Sequence, residues 1–434
     1  MVDLDTLSAL CKRRGFVYPS SEIYGGFGGF WDYGPLGTEL KKNIKEAWWR
    51  SLVQLRQDVV GLDSAIVMNP AVWVATGHVK NFVDRLVECK QCKQRFREED
   101  VENNLCPNCN VPLSEARLFN TMFRTFVGPV EDEAAVAYLR PETAQGIFAD
   151  FKNVLASSRK KLPFGVAQIG KAFRNEITPG KFIFRLREFE QMELEFFIQP
   201  DTDDKWFPYW VNQRVEWYKQ YGMNPDNIKL LEYPREELAF YSKATTDVLF
   251  HFPFGWSELE GIADRTDYDL KRHIEHSGED LSYFDEETGQ RIVPWVIEPS
   301  VGVDRLFLAF LLNAYGEEQD KEGTRVVLRL HPRLAPFKVA VLPLSKKEPL
   351  AQKAEEVSAL LRPHFMTTYD ETQSIGRRYR RQDEIGTPWC VTVDFQSLED
   401  HAVTIRDRDT MTQERVPIAE LVANIRGRLE ASLS

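Results

Sequence analysis

The sequence predicts an α+β protein: a large body built on an antiparallel sheet with flanking helices, then a small C-terminal α/β domain. Three observations carry this. Two strand patterns, Gly165 to Arg174 and Glu188 to Ile198, are separated by one loop with the turn signal Pro179-Gly180, which makes them an antiparallel pair. From about Ala335 onward, apolar strands alternate with amphipathic helices. The charge divides at the same place. Residues 331–434 hold 15 basic and 15 acidic side chains, so the whole net charge of −11 lies in residues 1–330.

Residues 25–37 are Gly-rich with interleaved aromatics. They form no dinucleotide loop, because Gly26-x-Gly28 lacks the third glycine, and no P-loop, because Gly170-Lys171 and Gly180-Lys181 lack a following Ser or Thr. Leu36, Leu40, Ile44, Trp48 and Leu52 then step by four and predict a helix. The run ending at Met68-Asn69-Pro70 reads as a strand. A cysteine insert occupies residues 84–118. After the strand pair, residues 203–222 read as an aromatic-rich helix, Val293 to Val301 as a strand and Asp304 to Tyr315 as an apolar helix. In the C-terminal part, Phe337 to Leu342 and Trp389 to Asp394 read as strands. Leu350 to Leu361, Ser374 to Glu384 and Ile418 to Leu429 read as helices. Together they predict a largely parallel sheet.

A length of 434 residues suggests two to three domains. With 43% hydrophobic and 28% charged residues, the composition excludes a disordered tail, a fibre and a disulfide-dense secreted domain. The longest apolar run, Leu306 to Leu312, is far short of a membrane span, and the N-terminus shows no secretory pattern, so the expected compartment is the cytoplasm. In that compartment Cys89-x2-Cys92 and Cys106-x2-Cys109 read as a closed tetrathiolate zinc site, structural rather than catalytic. Four reduced structural thiols are the alternative. Cys11 and Cys390 read as buried small hydrophobes.

The chemistry concentrates in the strand pair. Arg174 and Glu176 share a strand face, as do Phe189, Gln191, Glu193 and Glu195 on the next strand. An arginine, a ring and several carboxylates on one face are costly unless they meet a polar ligand. Bidentate arginine geometry beside a ring for base stacking suits a nucleoside triphosphate. In Glu298-Pro299-Ser300-Val301-Gly302-Val303-Asp304-Arg305 a strand ends, glycine turns the chain and an arginine opens a helix, which places a cation and free N–H groups near an anion.

Together these pieces resemble motif 2 (about 165–198) and motif 3 (about 293–315) of class II aminoacyl-tRNA synthetases, and the segment from Tyr33 to Pro70 resembles motif 1. Within subgroup IIa the details resemble the homodimeric glycyl-tRNA synthetases. The carriers are Tyr33-Gly34-Pro35-Leu36-Gly37, Arg140-Pro141-Glu142-Thr143-Ala144-Gln145-Gly146-Ile147-Phe148, Glu258-Leu259-Glu260-Gly261-Ile262-Ala263 and the stretch from Phe184 to Glu193. The resemblance implies a class II catalytic domain over residues 1–83 and 119–330, a zinc-knuckle insert at 84–118 and an anticodon-binding domain at 331–434. It implies ATP, glycine and tRNA as partners, Mg²⁺ with the ATP, and a homodimer without a membrane role.

It also implies roles. Arg174 holds the ATP α-phosphate, Glu176 the adenine edge, and Phe189 stacks on adenine with Arg305 on the other face or at the γ-phosphate. Arg185 binds the γ-phosphate and Glu258 helps hold Mg²⁺, so Arg174, Arg305 and Glu258 are the expected catalytic group. Asn175, Phe184, Leu186, Arg187, Glu188, Leu259, Gly302, Val303 and Asp304 complete the ATP site. Glu142, Glu190, Glu193 and Glu298 form an acidic pocket for the glycine ammonium, with Ser300 nearby. Arg97, Phe189, Gln191, Met192, Pro299, Val301 and Gly302 complete the glycine site.

The run Arg377-Arg378-Tyr379-Arg380-Arg381 reads as tRNA phosphate contact through its four arginines, against the alternative of a solvated face. Trp48 and Trp49, on or beside the apolar helix face, are expected to be buried by the second subunit. A polymerase accessory subunit of the same fold and a synthetase for another class IIa amino acid are the alternatives. The intact motif arginines and acids argue against the first.

Overall fold

The computed structural model describes residues 2–239, 241–320 and 323–432. In chain order the elements that build the body are α1 (Pro35–Trp49), β1 (Val59–Gly61), β2 (Phe164–Phe173), β3 (Glu188–Ile198), α2 (Asp203–Gln220), β4 (Ile228–Glu232), β5 (Ala244–Phe252), β6 (Gly255–Thr266), α3 (Tyr268–Ser277), β7 (Trp295–Gly302) and α4 (Val303–Ala314). The strands form one seven-stranded sheet in the order β4-β5-β6-β7-β3-β2-β1. All its pairings are antiparallel except that of β1 with β2.

Alternation along β3 divides the sheet's two faces. Met192, Leu194, Phe196 and Ile198 enter a core shared with Leu40, Ile44 and Trp48 of α1, Trp210 and Trp217 of α2, and Leu306 to Leu312 of α4. Phe189, Gln191, Glu193 and Glu195 face the other way. Pro35 opens α1, where its fixed φ suits the first helical turn. Gly37 is required there by close approach: a Cβ at this position would lie 1.8 Å from the carbonyl oxygen of Phe16.

The expected strand ending at Met68 is corrected. The strand lies earlier, at Val59–Gly61, and Asn69 instead caps the helix Pro70–Ala75, its side chain accepting the Ala71 N–H at 2.9 Å. Asn followed by Pro is a helix-start signature, and that local chemistry overrides the apolar run. Residues 83–120 carry a separate three-stranded sheet built from Val83–Glu88, Arg95–Arg97 and Arg117–Asn120.

Beyond the hairpin Tyr315–Asp320 with Gly323–Leu328 come β8 (Val339–Pro343), α5 (Leu350–Leu361), β9 (Thr367–Tyr369), α6 (Ile375–Ile385), β10 (Trp389–Val393), β11 (Ala402–Asp407), β12 (Gln413–Pro417) and α7 (Leu421–Ala431). Their sheet runs β9-β8-β10-β11-β12. It is mixed rather than largely parallel, because β8 is parallel to β9 and β10 while β11 and β12 form an antiparallel hairpin. The Asp407 carboxylate closes that turn on the N–H groups of Asp409 and Thr410, at 3.0 and 2.9 Å. Arg325 of the preceding hairpin reaches Asp383 of α6 at 2.8 Å, and Arg406 of β11 meets the same carboxylate at 2.9 Å. No helix among the described residues is long and apolar enough to cross a membrane.

Candidate active site

The face of the sheet away from α1 and α4 opens into a cavity of about 690 Å³. Register builds its floor. Gln191 pairs with Gly302 and Glu193 with Ser300 across β3 and β7, while Gly261 pairs with Ser300 and Ala263 with Glu298 across β6 and β7. Gly261, Ala263, Ser300 and Gly302 keep that floor low, so a small ligand can lie on the sheet.

Besides Arg265 of β6, four arginines line the cavity. Arg174 follows β2, Arg185 sits in the β2–β3 loop, Arg305 opens α4 and Arg97 reaches in from the insert. The Arg174 guanidinium lies between the rings of Phe82 and Phe189, 5.4 Å from each, and its Nε donates to the Pro141 carbonyl at 3.0 Å. Arg305 lies 4.2 Å over the Phe184 ring and donates to the Glu258 carbonyl oxygen at 2.9 Å, with the Glu258 carboxylate 3.3 Å away. The ring under Arg305 is therefore Phe184, while Phe189 faces Arg174. Arg97 pairs with Asp84 and Glu99 at 3.2 and 2.6 Å, and Arg185 lies 3.6 Å from Asp100. Burial raises the Glu176 carboxyl against the pull of Arg174 and Arg185.

Carboxylates form the second group. Glu193 accepts from Ser300 Oγ at 2.8 Å, from the Thr143 N–H at 2.9 Å and from the Thr143 hydroxyl. Glu142 lies 3.3 Å from His78 Nε2; burial opposes its ionisation, but His78, Arg265 and Gln145 outweigh that and hold it low. Glu298 accepts from Arg265 at 2.8 Å, yet burial and the neighbouring acids push it up to about 8. Beyond the expected set, Asp247 faces Glu258 from β5. Burial and that neighbouring charge push it up to about 6.

Several expected contacts are corrected by the side chains' positions. Glu190 points to the helix-covered face, where its carboxylate meets Lys41 and Lys45 at 2.8 Å each. Met192, Leu259, Val301 and Val303 lie in the core on that side, so none presents a side chain to ligand. Asp304 is buried and spent on Tyr33, on Lys41 at 2.8 Å and on the Glu190 N–H at 2.8 Å. Arg187 braces the glycine-rich loop, donating to the carbonyls of Glu176 and Gly28 at 3.0 and 2.8 Å, and Glu188 pairs with Lys171 at 2.8 Å. Pro299 and Asn175 do not line the cavity; the Asn175 N–H is tied to Thr121 at 2.7 Å. Phe184, Leu186, Gln191, Ser300 and Gly302 do line it.

Sequence reasoning missed Phe82, His78, Arg265 and Asp269. Arg265 was within reach, because it lies two residues beyond Ala263 and faces the same cluster, giving Nε and Nη2 to Asp269 at 2.7 and 2.9 Å.

The four insert cysteines meet. Their sulfur atoms all lie within 4.8 Å of one another, and Cys92 Sγ is 3.7 Å from Cys106 Sγ. Tetrahedral zinc with ~2.3 Å bonds needs sulfurs about 3.8 Å apart. The Cys92 backbone N–H pulls Cys89 down to about 7, whereas the nearby Cys92 sulfur pushes Cys109 up to about 12. Four thiols gathered at that separation fit one tetrahedral cation.

On α6 the four arginines separate. Arg377 is exposed, and Arg380 is half-buried. Arg378 is buried and donates to the carbonyls of Pro343 and Asp370 at 2.5 and 3.1 Å, so it is not available to RNA. Arg381 is held by Asp370 at 2.5 Å. Trp48 is fully buried by its own chain, so its burial owes nothing to a second subunit.

Residues 129–315 match the tRNA synthetase class II core domain (G, H, P, S and T), and residues 338–428 match the anticodon binding domain. Among curated proteins, the chain is 55% identical to the glycine–tRNA ligase of Thermobifida fusca (strain YX), with 98% of each chain covered. It is 54% identical to that of Clostridium perfringens (strain 13 / Type A), again over 98% of each, and 51% identical to that of Treponema denticola, over 99% of this chain and 98% of the relative. In fold it is similar to the prolyl-tRNA synthetase of Cryptosporidium parvum crystallised with L-proline and AMP. The TM-score is 0.65 at 14% identity, covering 98% of this chain and 78% of that one.

Proposed function

The chain belongs to the glycine–tRNA ligase family of class II aminoacyl-tRNA synthetases, and from that premise we propose how its cavity divides the work. The activity is ATP-dependent attachment of glycine to the 3′ end of tRNA, by way of glycyl-adenylate. The observation that carries the assignment of roles is one cavity lined by both an arginine group and a carboxylate group over a floor of Gly261, Ala263, Ser300 and Gly302.

Arg174 neutralises charge on the α-phosphate while the glycine carboxylate attacks the phosphorus in line. That carboxylate is already ionised, so the step needs positioning and charge neutralisation rather than a side-chain base. Arg185 and Arg305 receive the outer phosphates, Glu176 and Phe189 the adenine; Arg97, which the resemblance grouped with the glycine site, acts on Glu176 beside Arg174 and Arg185 and belongs to the ATP side instead. Class II synthetases use ATP with Mg²⁺. Glu258 with Asp247 would hold the ion, since the Glu258 charge beside the partly buried Asp247 carboxyl makes a pair of acids that a divalent cation between them would relieve. The ion supplies charge neutralisation on the phosphates when bound. Glu142, Glu193 and Glu298 take the glycine ammonium, and the floor rejects side chains by clash. Arg174→Ala tests this reading: loss of both ATP–pyrophosphate exchange and aminoacylation supports it, and exchange within a few fold of normal refutes it.

Four finer points complete the proposal. Cys89, Cys92, Cys106 and Cys109 hold a structural zinc that fixes the insert and, through it, Arg97. Arg377 and Arg380, with Arg381 beside them, meet tRNA phosphate. The protein works in the cytoplasm, where thiols stay reduced; cell fractionation checks this. It is a homodimer. Ile66, Val67, Phe126, Val127 and Val130 are exposed, and the bridge from Val67 to Leu139 brings their segments together, which makes an apolar patch for a second copy. A fully active monomer in sedimentation at micromolar concentration would contradict this.

A further inference from the structure

Five carboxyl groups gather around one guanidinium at the buried side of the cavity. Arg265 gives three N–H donors to Asp269 and Glu298. Glu142 faces His78 and accepts from Gln145 at 3.0 Å, and Glu193 accepts from Thr143 and Ser300. Glu195, two residues further along the same face of β3, is fully buried, and neither of its oxygens has a hydrogen-bond partner among the described residues. Among the other ionisable groups packed around the cluster, Arg140 brings one further fixed positive charge, acting on Glu193. The Tyr241 ring stacks 4.1 Å from the Arg265 guanidinium, and His273 bonds Gln145 at 3.0 Å with burial holding its proton affinity down. Arg140 is fixed in place by donating to the backbone carbonyls of Lys171 and Ser64 and keeps its charge.

With all five carboxyls ionised, Arg265 and Arg140 would leave three uncompensated negative charges out of water. A buried site relieves such an excess by taking up protons. Burial and the adjacent Glu298 raise Glu195 well above the usual carboxylate range, and Glu298 itself is pushed up to about 8.

We propose that the empty glycine pocket stores two protons on its carboxyl groups and that the arriving glycine ammonium expels one of them. This rests on reading the pocket as the seat of that ammonium. The proton that leaves belongs to the coupled Glu298–Glu193 pair and goes to solvent, so one positive charge replaces another. The second stays on Glu195, which does not line the cavity and remains a neutral acid beneath it. Binding is then an exchange, zwitterionic glycine in and a proton out. A ligand without a cationic amine has no proton to displace.

Titration calorimetry of the full-length enzyme with glycine near pH 7, in two buffers of different ionisation enthalpy, counts the protons directly. The expected result is about one released per glycine. In ATP–pyrophosphate exchange, the glycine KM should fall about tenfold per pH unit up to near pH 8 and then level off. Glu298→Gln should raise the KM and flatten its pH dependence. Glu195→Gln, which swaps one neutral group for another of the same shape, should keep the proton count. Wild-type binding with no buffer dependence and a KM flat with pH overturns the exchange, and leaves the pocket assignment standing if Glu298→Gln still raises the KM. Glu298→Gln with an unaltered glycine KM overturns the pocket assignment and the exchange with it. The wild-type proton count needs no variant to fold.

Discussion

Lys41 of α1 places its ammonium 2.8 Å from the Asp304 carboxylate of α4, with both side chains almost wholly buried. The same ammonium meets Glu190 of β3 at 2.8 Å, and Asp304 also accepts from Tyr33 and from the Glu190 backbone. Behind the sheet, one buried network therefore ties α1, β3 and α4, the helix that carries Arg305.

Breaking that network from one side leaves uncompensated buried charge. Lys41→Met, which keeps most of the packing, should lower stability by about 3–5 kcal/mol. Urea unfolding measures this. ATP–pyrophosphate exchange should fall as well, because α4 loses the contact that sets Arg305.

The same network gives an acid limit. Burial works against ionised Glu190, but the charges and hydrogen bonds of Lys41 and Lys45 win and hold its carboxyl at about 2. A depressed carboxyl contributes stability that is fully present above its unfolded value, near 4.5, and is lost as pH falls toward 2. Thermal melts between about pH 6 and pH 2 should show a steep decline in this range that Glu190→Gln shifts or removes.

Zinc should be present at about one ion per chain in protein purified without chelator. Cys106→Ser should lose it and loosen the insert, and because Arg97 pairs across the insert sheet with Leu86, the ATP KM should rise. Metal-free protein with four titratable thiols and full activity would remove the zinc assignment.

The α6 arginines should behave unlike one another. Arg377→Ala together with Arg380→Ala should leave pyrophosphate exchange nearly intact and raise the tRNA KM, with a defect that worsens as salt rises. Arg378→Ala should instead destabilise the C-terminal domain, since it strips donors from buried carbonyls. A salt-independent KM in the double variant would make those arginines a solvated face.

That split marks where sequence reading stops. A run of arginines on a helix shows charge, but its phase against β8 decides that Arg378 turns inward while Arg377 does not. The β2–β3 pair was legible because its apolar residues alternate without interruption, and Arg174, Phe189 and Glu193 followed from it. The β5–β6 hairpin was not, because Asp247, Glu258, Glu260 and Asp264 obscure its apolar alternation, and with it went Arg265 and Asp247. For Glu190 the two kinds of reading diverge: family likeness groups it with Glu193, whereas strand alternation puts its side chain on the face opposite Phe189, where Lys41 and Lys45 meet it.

The most direct test of the account is ATP–pyrophosphate exchange run with each amino acid separately. Glycine should support exchange, and alanine and serine should support it hardly at all, because a side chain would strike the floor of Gly261, Ala263, Ser300 and Gly302. Comparable exchange with alanine, serine or proline would contradict the assignment of that floor and its acidic surround to glycine.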